Sequence, residues 1–204
     1  MRPAILAAAA LAALAALAAP AHASAIVGQS APAFSATDSK GRPVSLAALR
    51  GRTVVLEWTN AQCPFVVKHY GSGNMQRLQA DAARNGVVWL TINSGAPGKQ
   101  GHVTPAQAEA VIAGAKAAPA HYLLDPTGTI GRAYGATTTP HMFVINPAGT
   151  LVYAGGIDDK PTANAADIAG ARNFVTLALA DVAAGRPVGT PTARPYGCSV
   201  KYAG

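Results

Sequence analysis

The sequence predicts an α/β domain, a sheet with helices on both faces. Three observations predict it. Strand-like and helix-like segments alternate along the chain, which then closes with a strand hairpin and a last helix. The run Val87–Asn93 is almost wholly apolar, as a strand covered on both faces must be. The run Thr53–Trp58, rich in β-branched residues, reads as a buried strand, and it leads through Thr59-Asn60-Ala61-Gln62 into Cys63, Pro64 and a helix.

Each element follows from local chemistry. Ser24–Pro32 reads as an extended lead-in. Phe34–Thr37 and Pro43–Leu46 are short strands joined by the turn Asp38-Ser39-Lys40-Gly41, and a single helical turn follows to Arg50-Gly51. Pro64 suits a first helical position, where its missing N–H costs nothing. Gly71 and Gly73 interrupt that helix, giving one bent helix or two segments up to the C-cap pair Asn85-Gly86. Ser94–Val103, with three glycines and Pro97, is a loop after a strand's C-terminal end, where open α/β sheets place their sites. Thr104-Pro105-Ala106-Gln107 has the order of a capping box, and helical spacing continues to about Lys116. His121–Asp125 is a strand. Thr129–Tyr134 is a helix stopped by Gly135. Met142–Ile145 and Thr150–Ala154 form a hairpin across Asn146-Pro147-Ala148-Gly149. The spacing of Ile168, Ala171, Val175, Leu179 and Val182 predicts one long helix over 166–184, stopped by Gly185. The proline-bearing stretch Arg186–Pro195 is extended and delivers Tyr196-Gly197-Cys198.

The N-terminus reads as a targeting segment, residues 1–23. Arg2 supplies the positive region, Ile5–Ala19 is apolar but short for a membrane span, and Ala21-His22-Ala23 or Ala23-Ser24-Ala25 offers a cleavage site. The expectation is export, most simply to a bacterial periplasm, with no stable membrane insertion. The mature part is expected to be one domain over residues 24–185 with an extended tail over 186–204. The formal net charge is +7, one unit of it from Arg2, and the basic residues are scattered without a run. That pattern suits solubility and argues against nucleic-acid recognition. Only two cysteines occur, Cys63 and Cys198, and no Cys/His cluster has zinc spacing.

Chemistry centres on Cys63. A cysteine between a strand end and a helix start meets free backbone N–H groups and the positive end of the helix dipole, which lower a thiol pKa. In an oxidising compartment Cys198 can pair with it, either by resolving an oxidised Cys63 or as a static structural bridge. Glu57 breaks its apolar strand. It is either a buried carboxyl suited to proton transfer or a strand-end carboxylate reaching water. Asn60, Gln62 and the first N–H groups of the helix are placed to stabilise developing negative charge. His141 could support the Cys63 thiolate, and a thiolate with one imidazole does not make a metal site. His69, His102 and His121 are expected at the surface, Arg132 at a solvated helix position and Trp58 in the core.

Three segments carry a resemblance. Gly41–Cys63 (GRPVSLAALRGRTVVLEWTNAQC), Leu124–Gly135 (LDPTGTIGRAYG) and Thr138–Gly149 (TTPHMFVINPAG) together resemble the thioredoxin-fold redoxins, specifically the peroxiredoxin-like branch near the alkyl hydroperoxide reductases and thiol-specific antioxidant proteins. The resemblance implies a thioredoxin-like fold: a central mixed sheet flanked by helices, with an N-terminal β-hairpin extension. It places Cys63 on the reactive cysteine, Pro140 on the cis-proline with Thr139 and His141 as its neighbours, and Glu57 on the buried acid of thioredoxins. The chain departs from both family patterns. Val66 stands where a C-x-x-C motif would carry its second cysteine. Asn60 holds the position three before the cysteine where a peroxiredoxin carries Thr or Ser, Leu56 stands at its proline, and Pro140 near its arginine. Any peroxide chemistry should therefore be slow.

The expectation is a thiol-based oxidoreductase of peroxiredoxin-like type. Cys63 is the nucleophile toward a peroxide or disulfide, and Cys198 is the resolving residue. No cofactor is implied, and a reducing partner protein would complete the cycle. The alternatives are thiol–disulfide exchange without peroxidase activity, or a non-catalytic module binding a metal or a protein at the Cys63/Pro140 face.

Overall fold

The computed structural model describes residues 25–204, so the segment read as a targeting signal lies outside it. The chain begins with a turn around Gly28 rather than a fully extended lead-in, because Gly28 and Leu151 N–H groups bond across to Leu151 and Gln29 carbonyls. A two-stranded hairpin follows, β1 (Ser35–Thr37) with β2 (Pro43–Ser45), and then a 3₁₀ turn, Ala47–Leu49. Next come β3 (Val54–Trp58), α1 (Pro64–Gly71), α2 (Asn74–Arg84), β4 (Val88–Asn93), α3 (Pro105–Ala115), β5 (His121–Leu124) and α4 (Thr129–Tyr134). The rest comprises β6 (Thr138–Thr139), β7 (His141–Ile145), β8 (Leu151–Gly155), a 3₁₀ segment Ala165–Gly170, α5 (Phe174–Ala183) and β9 (Cys198–Ser199).

The central sheet has the order β5-β4-β3-β7-β8 and is mixed. β3 pairs in parallel with β4 and antiparallel with β7, and Trp58 lies opposite His141. The period of a strand sends alternate residues to opposite faces. Val54, Leu56 and Trp58 therefore enter one core with Ile92, Tyr134, Phe143 and Leu151. Val55 enters the other with Met75, Trp89, Val144 and Val175. Each large apolar side chain so buried contributes about 1.5–3 kcal/mol. Trp58 sits in the core as expected, its ring 5.1 Å from Phe143 and 5.6 Å from Tyr134.

Local chemistry accounts for the element ends. Cys63 is the extended N-cap residue of α1, and Pro64 takes the first helical position. Ser72 and Gly73, at φ +73°, divide α1 from α2. The Thr104–Gln107 capping box forms, and Gly135 ends α4.

The single helix expected over 166–184 is two pieces. Residues 171–173 are drawn into contact with the loop after β8. Phe174 N–H bonds Ile157 O at 3.0 Å, and Arg172 N–H bonds the Asp159 carboxylate at 2.9 Å. Asn173 is then free to cap a new helix, its side chain accepting from Thr176 N–H at 2.9 Å. The apolar spacing of Ile168 and Ala171 is helical, but the loop contacts override it.

Beyond α5 the tail is not a loose arm. It lies against β8, where Ala154 exchanges bonds with Pro191 and Ala193. β9 then pairs antiparallel with β6, Thr139 opposite Cys198. Further on, Ala96 N–H bonds Lys201 O, and the Tyr202 hydroxyl donates to Ala136 O at 2.7 Å. Among the described residues no helix is long and apolar enough to cross a membrane.

Candidate active site

Cys63, at the end of the β3 turn, is fully buried, and what covers it is the tail. Its sulfur lies 2.7 Å from the sulfur of Cys198 and 3.1 Å from Thr139 O, and both cysteines are free thiols. The Thr139–Pro140 peptide bond is cis, and this loop presents Thr139 to Cys63 on one side and to β9 on the other. The Thr139 hydroxyl reaches Cys198 O at 3.4 Å. The two cysteines are distant in sequence and adjacent in space, because the tail pairs with the cis-proline loop.

The two thiols are electrostatically unequal. Burial alone would raise the Cys63 pKa. Hydrogen bonds from Cys198, the Thr139 side chain and the Val66 and Cys198 backbone outweigh it, leaving the thiol more acidic than usual. Cys198 is pushed up to about 11 by burial and by the neighbouring Cys63. The thiolate therefore forms on Cys63 first.

The remaining site residues fall in different places. Asn60 is buried and committed to the loop. Its side chain accepts from Gln62 N–H at 2.9 Å and donates to Gln100 Oε1 at 2.9 Å, and it packs on Gly101. Gln62 is exposed at the start of the cysteine turn. His141 is buried against Phe143, and its Nδ1 accepts from Thr137 N–H at 3.3 Å. Burial lowers its pKa to about 4, so the ring is neutral at pH 7. Glu57 is buried rather than reaching water. It accepts from Trp89 Nε1 and the Tyr70 hydroxyl at 2.8 Å, Thr91 Oγ1 at 3.0 Å and Gln79 Nε2 at 3.4 Å. Burial raises its pKa against the pull of these four donors, none of which is a thiol. Arg132 is exposed, stacked on Tyr202 and bonded to Ala203 O.

A profile of the Redoxin family matches residues 26–171. The chain belongs to the Redoxin family. The matched stretch contains Cys63 and the cis-proline loop and stops short of the tail that carries Cys198. A hypothetical protein from Sinorhizobium meliloti is similar at 25% identity and TM-score 0.74, over 88% of this chain and 96% of that one. An uncharacterised conserved protein from Geobacillus kaustophilus is similar at 28% identity and TM-score 0.75, over 87% and 93%. The thioredoxin domain of a thiol–disulfide oxidoreductase from Bacteroides vulgatus, at 19% identity and TM-score 0.51 over 64% and 89%, shares the fold. No curated protein matches. The redoxin is a thioredoxin-like α/β protein whose chemistry is thiol-based oxidoreduction.

Two features escaped the sequence. His69 is not at the surface. It is buried with Lys68 beside Asp158 and Tyr196. The signal for it was the adjacent ionisable residues Lys68-His69 on the helix after Cys63, with Tyr196 just before Cys198. The second is Gly197, whose lack of a side chain admits the tail against Thr139. Among the described residues no cluster of three or more His, Cys, Asp or Glu could hold a metal ion.

Proposed function

We propose that this redoxin is an exported thiol–disulfide oxidoreductase that works through the Cys63–Cys198 couple. The observation that carries the reading is the contact between an acidified Cys63 and a higher-pKa Cys198 at the cis-proline loop. Reduction of a substrate disulfide takes two displacements. The Cys63 thiolate attacks one substrate sulfur, forming a mixed disulfide and releasing the other sulfur as a thiolate. Cys198 then gives up its proton, its sulfur attacks Cys63 Sγ, and the second substrate sulfur leaves. Two electrons pass to the substrate and the Cys63–Cys198 disulfide remains. Because Cys63 has no exposed surface, the first displacement needs the β9 strand to shift. The N–H groups of Val66 and Cys198 stabilise the thiolate when Cys63 leaves in the reverse direction. A reducing partner protein resets the couple.

Export rests on Arg2, the apolar Ile5–Ala19 and the Ala-x-Ala sites, and a bacterial periplasm is the compartment in which such a couple could persist oxidised. Peroxide has a weaker claim than disulfide as the oxidant, because Asn60, at the place of the peroxide-binding hydroxyl residue, is held by Gln62 and Gln100.

The test is intact mass with thiol counting on reduced wild type and Cys198→Ser, treated with a small peptide disulfide or with hydrogen peroxide. The expected result is a wild type that becomes two hydrogens lighter, and a variant that stops as a mixed disulfide with the peptide. Reaction with peroxide alone would replace exchange by peroxidase chemistry. Thiols inert to both reagents would end the redox reading and leave a binding module.

A further inference from the structure

Next to the thiol pair, four ionisable side chains are buried together. Lys68 and His69 lie on α1 just past Cys63, Asp158 lies in the loop after β8, and Tyr196 precedes Cys198 by two residues. The Tyr196 hydroxyl donates to Asp158 Oδ1 at 2.6 Å and stands 3.2 Å from His69 Nε2. Asn74 Nδ2 donates to His69 Nδ1 at 2.9 Å, so the neutral ring carries its proton on Nε2 and donates to Tyr196. The ring is neutral because burial lowers its pKa to about 4. Lys68 Nζ donates to Lys160 O at 2.8 Å, stands 4.0 Å from Asp158 Oδ2 and lies 5.6 Å from the centre of the Tyr196 ring. Lys160 N–H completes the Asp158 carboxylate at 2.9 Å.

Burying charged groups is costly unless each is paired and hydrogen-bonded, and such clusters contribute to a defined geometry more readily than to net stability. This one joins three elements that a redox couple must keep in register: the helix that begins at Cys63, the loop after β8 and the tail strand that bears Cys198. Apolar packing holds the Tyr196 ring, which meets Phe65 edge-on at 5.8 Å. A ring held by packing alone can slide along its contact. The hydroxyl, fixed between His69 and Asp158, sets the position of the chain two residues from the sulfur.

We propose that Tyr196 is a positioning residue, held by Asp158 and His69, that fixes Cys198 against Cys63 and so raises the equilibrium constant for closing their disulfide. The inference rests on the redox reading of that pair.

The test equilibrates the full chain with glutathione buffers, quenches the thiols and measures the oxidised fraction by mass. Two protein thiols give two electrons and two protons to oxidised glutathione, which becomes two reduced molecules. Tyr196→Phe keeps the ring and removes only the hydroxyl, and Asp158→Asn keeps the shape of its partner. Tyr134→Phe removes another buried hydroxyl bond, to Pro32 O at 2.8 Å, which is not part of the Tyr196 cluster, and controls for lost stability. The expected result is an equilibrium constant at least about tenfold lower for Tyr196→Phe and Asp158→Asn, and within about twofold of wild type for Tyr134→Phe. If Tyr196→Phe fails to fold, Asp158→Asn decides the matter. Variants that melt lower yet close the disulfide as readily as wild type would overturn the positioning role. A wild type that closes no Cys63–Cys198 disulfide at any glutathione ratio overturns the redox reading and the inference with it.

Discussion

Gly197 lies so close to Thr139 that a Cβ on the glycine would stand 2.0 Å from the Thr139 carbonyl oxygen. Its φ of +130° is a conformation that other residues adopt only under strain. The antiparallel pairing of β9 with β6, and with it the place of Cys198, depends on this approach. Gly197→Ala should lift the strand, costing about 1–3 kcal/mol in stability and slowing closure of the Cys63–Cys198 bond at least about tenfold. Urea unfolding and a timed thiol quench would check both, and unchanged closure would show that the contact is incidental.

The unequal thiols predict two separate ionisations in the reduced protein. Ultraviolet thiolate absorbance should rise first for Cys63, below the ordinary value of 9.0, and again near about 11 for Cys198. Cys63→Ser should abolish the first step. If the acidic step survives in that variant, the roles of the two cysteines are exchanged.

Glu57 predicts a pH dependence of stability. Its folded pKa is raised above the ordinary 4.5 by burial. Between the unfolded and folded values the folded state holds the extra proton, so raising the pH favours the unfolded chain. The contribution is fully present below about 4.5, is lost as the pH rises through the folded pKa, and is constant above it. Glu57→Gln should remove this slope, because its amide can turn its oxygen to Trp89 and Thr91 and its N–H₂ to the Tyr70 hydroxyl. Glu57→Leu strands four buried donors and should cost about 3 kcal/mol or more. Unfolding free energies measured across the acid range test both, and a slope that persists in Glu57→Gln would place the titration elsewhere.

The break before α5 makes Asn173 a cap rather than a mid-helix residue. Asn173→Ala should destabilise the protein by about 1 kcal/mol. A change within about 0.3 kcal/mol in thermal unfolding would mean that the loop contacts of Arg172 and Phe174 fix the helix start by themselves.

Most of the fold was legible because its signals are local. The apolar β3 and β4, the Thr104–Gln107 capping box, the Gly135 stop and the turn at Asn146-Pro147-Ala148-Gly149 each specify their element from neighbouring residues. The place of Cys63 was legible for the same reason: Cys63 and Pro64 mark a strand end and a helix start. What escaped depends on contacts between distant segments. Residues 171–173 are extended because Asp159 binds Arg172 and Ile157 binds Phe174 next to them, and no helical periodicity can report that. His69 looked like a surface residue because its partners, Asp158 and Tyr196, come from elsewhere in the chain. Asn60 looked poised for substrate, but Gln100 comes from a loop whose path the sequence left open.

The 135-position sequence separation of Cys63 and Cys198 has a thermodynamic consequence for the whole molecule. A bond between these sulfurs would close everything from α1 to β9 into one ring, removing about 5 kcal/mol of conformational freedom from the unfolded chain. Electron transfer and folding would then be a single linked equilibrium. Each reduction of the couple would release that constraint, and the protein would be most easily unfolded, and most exposed to proteases, in the state that has just received electrons.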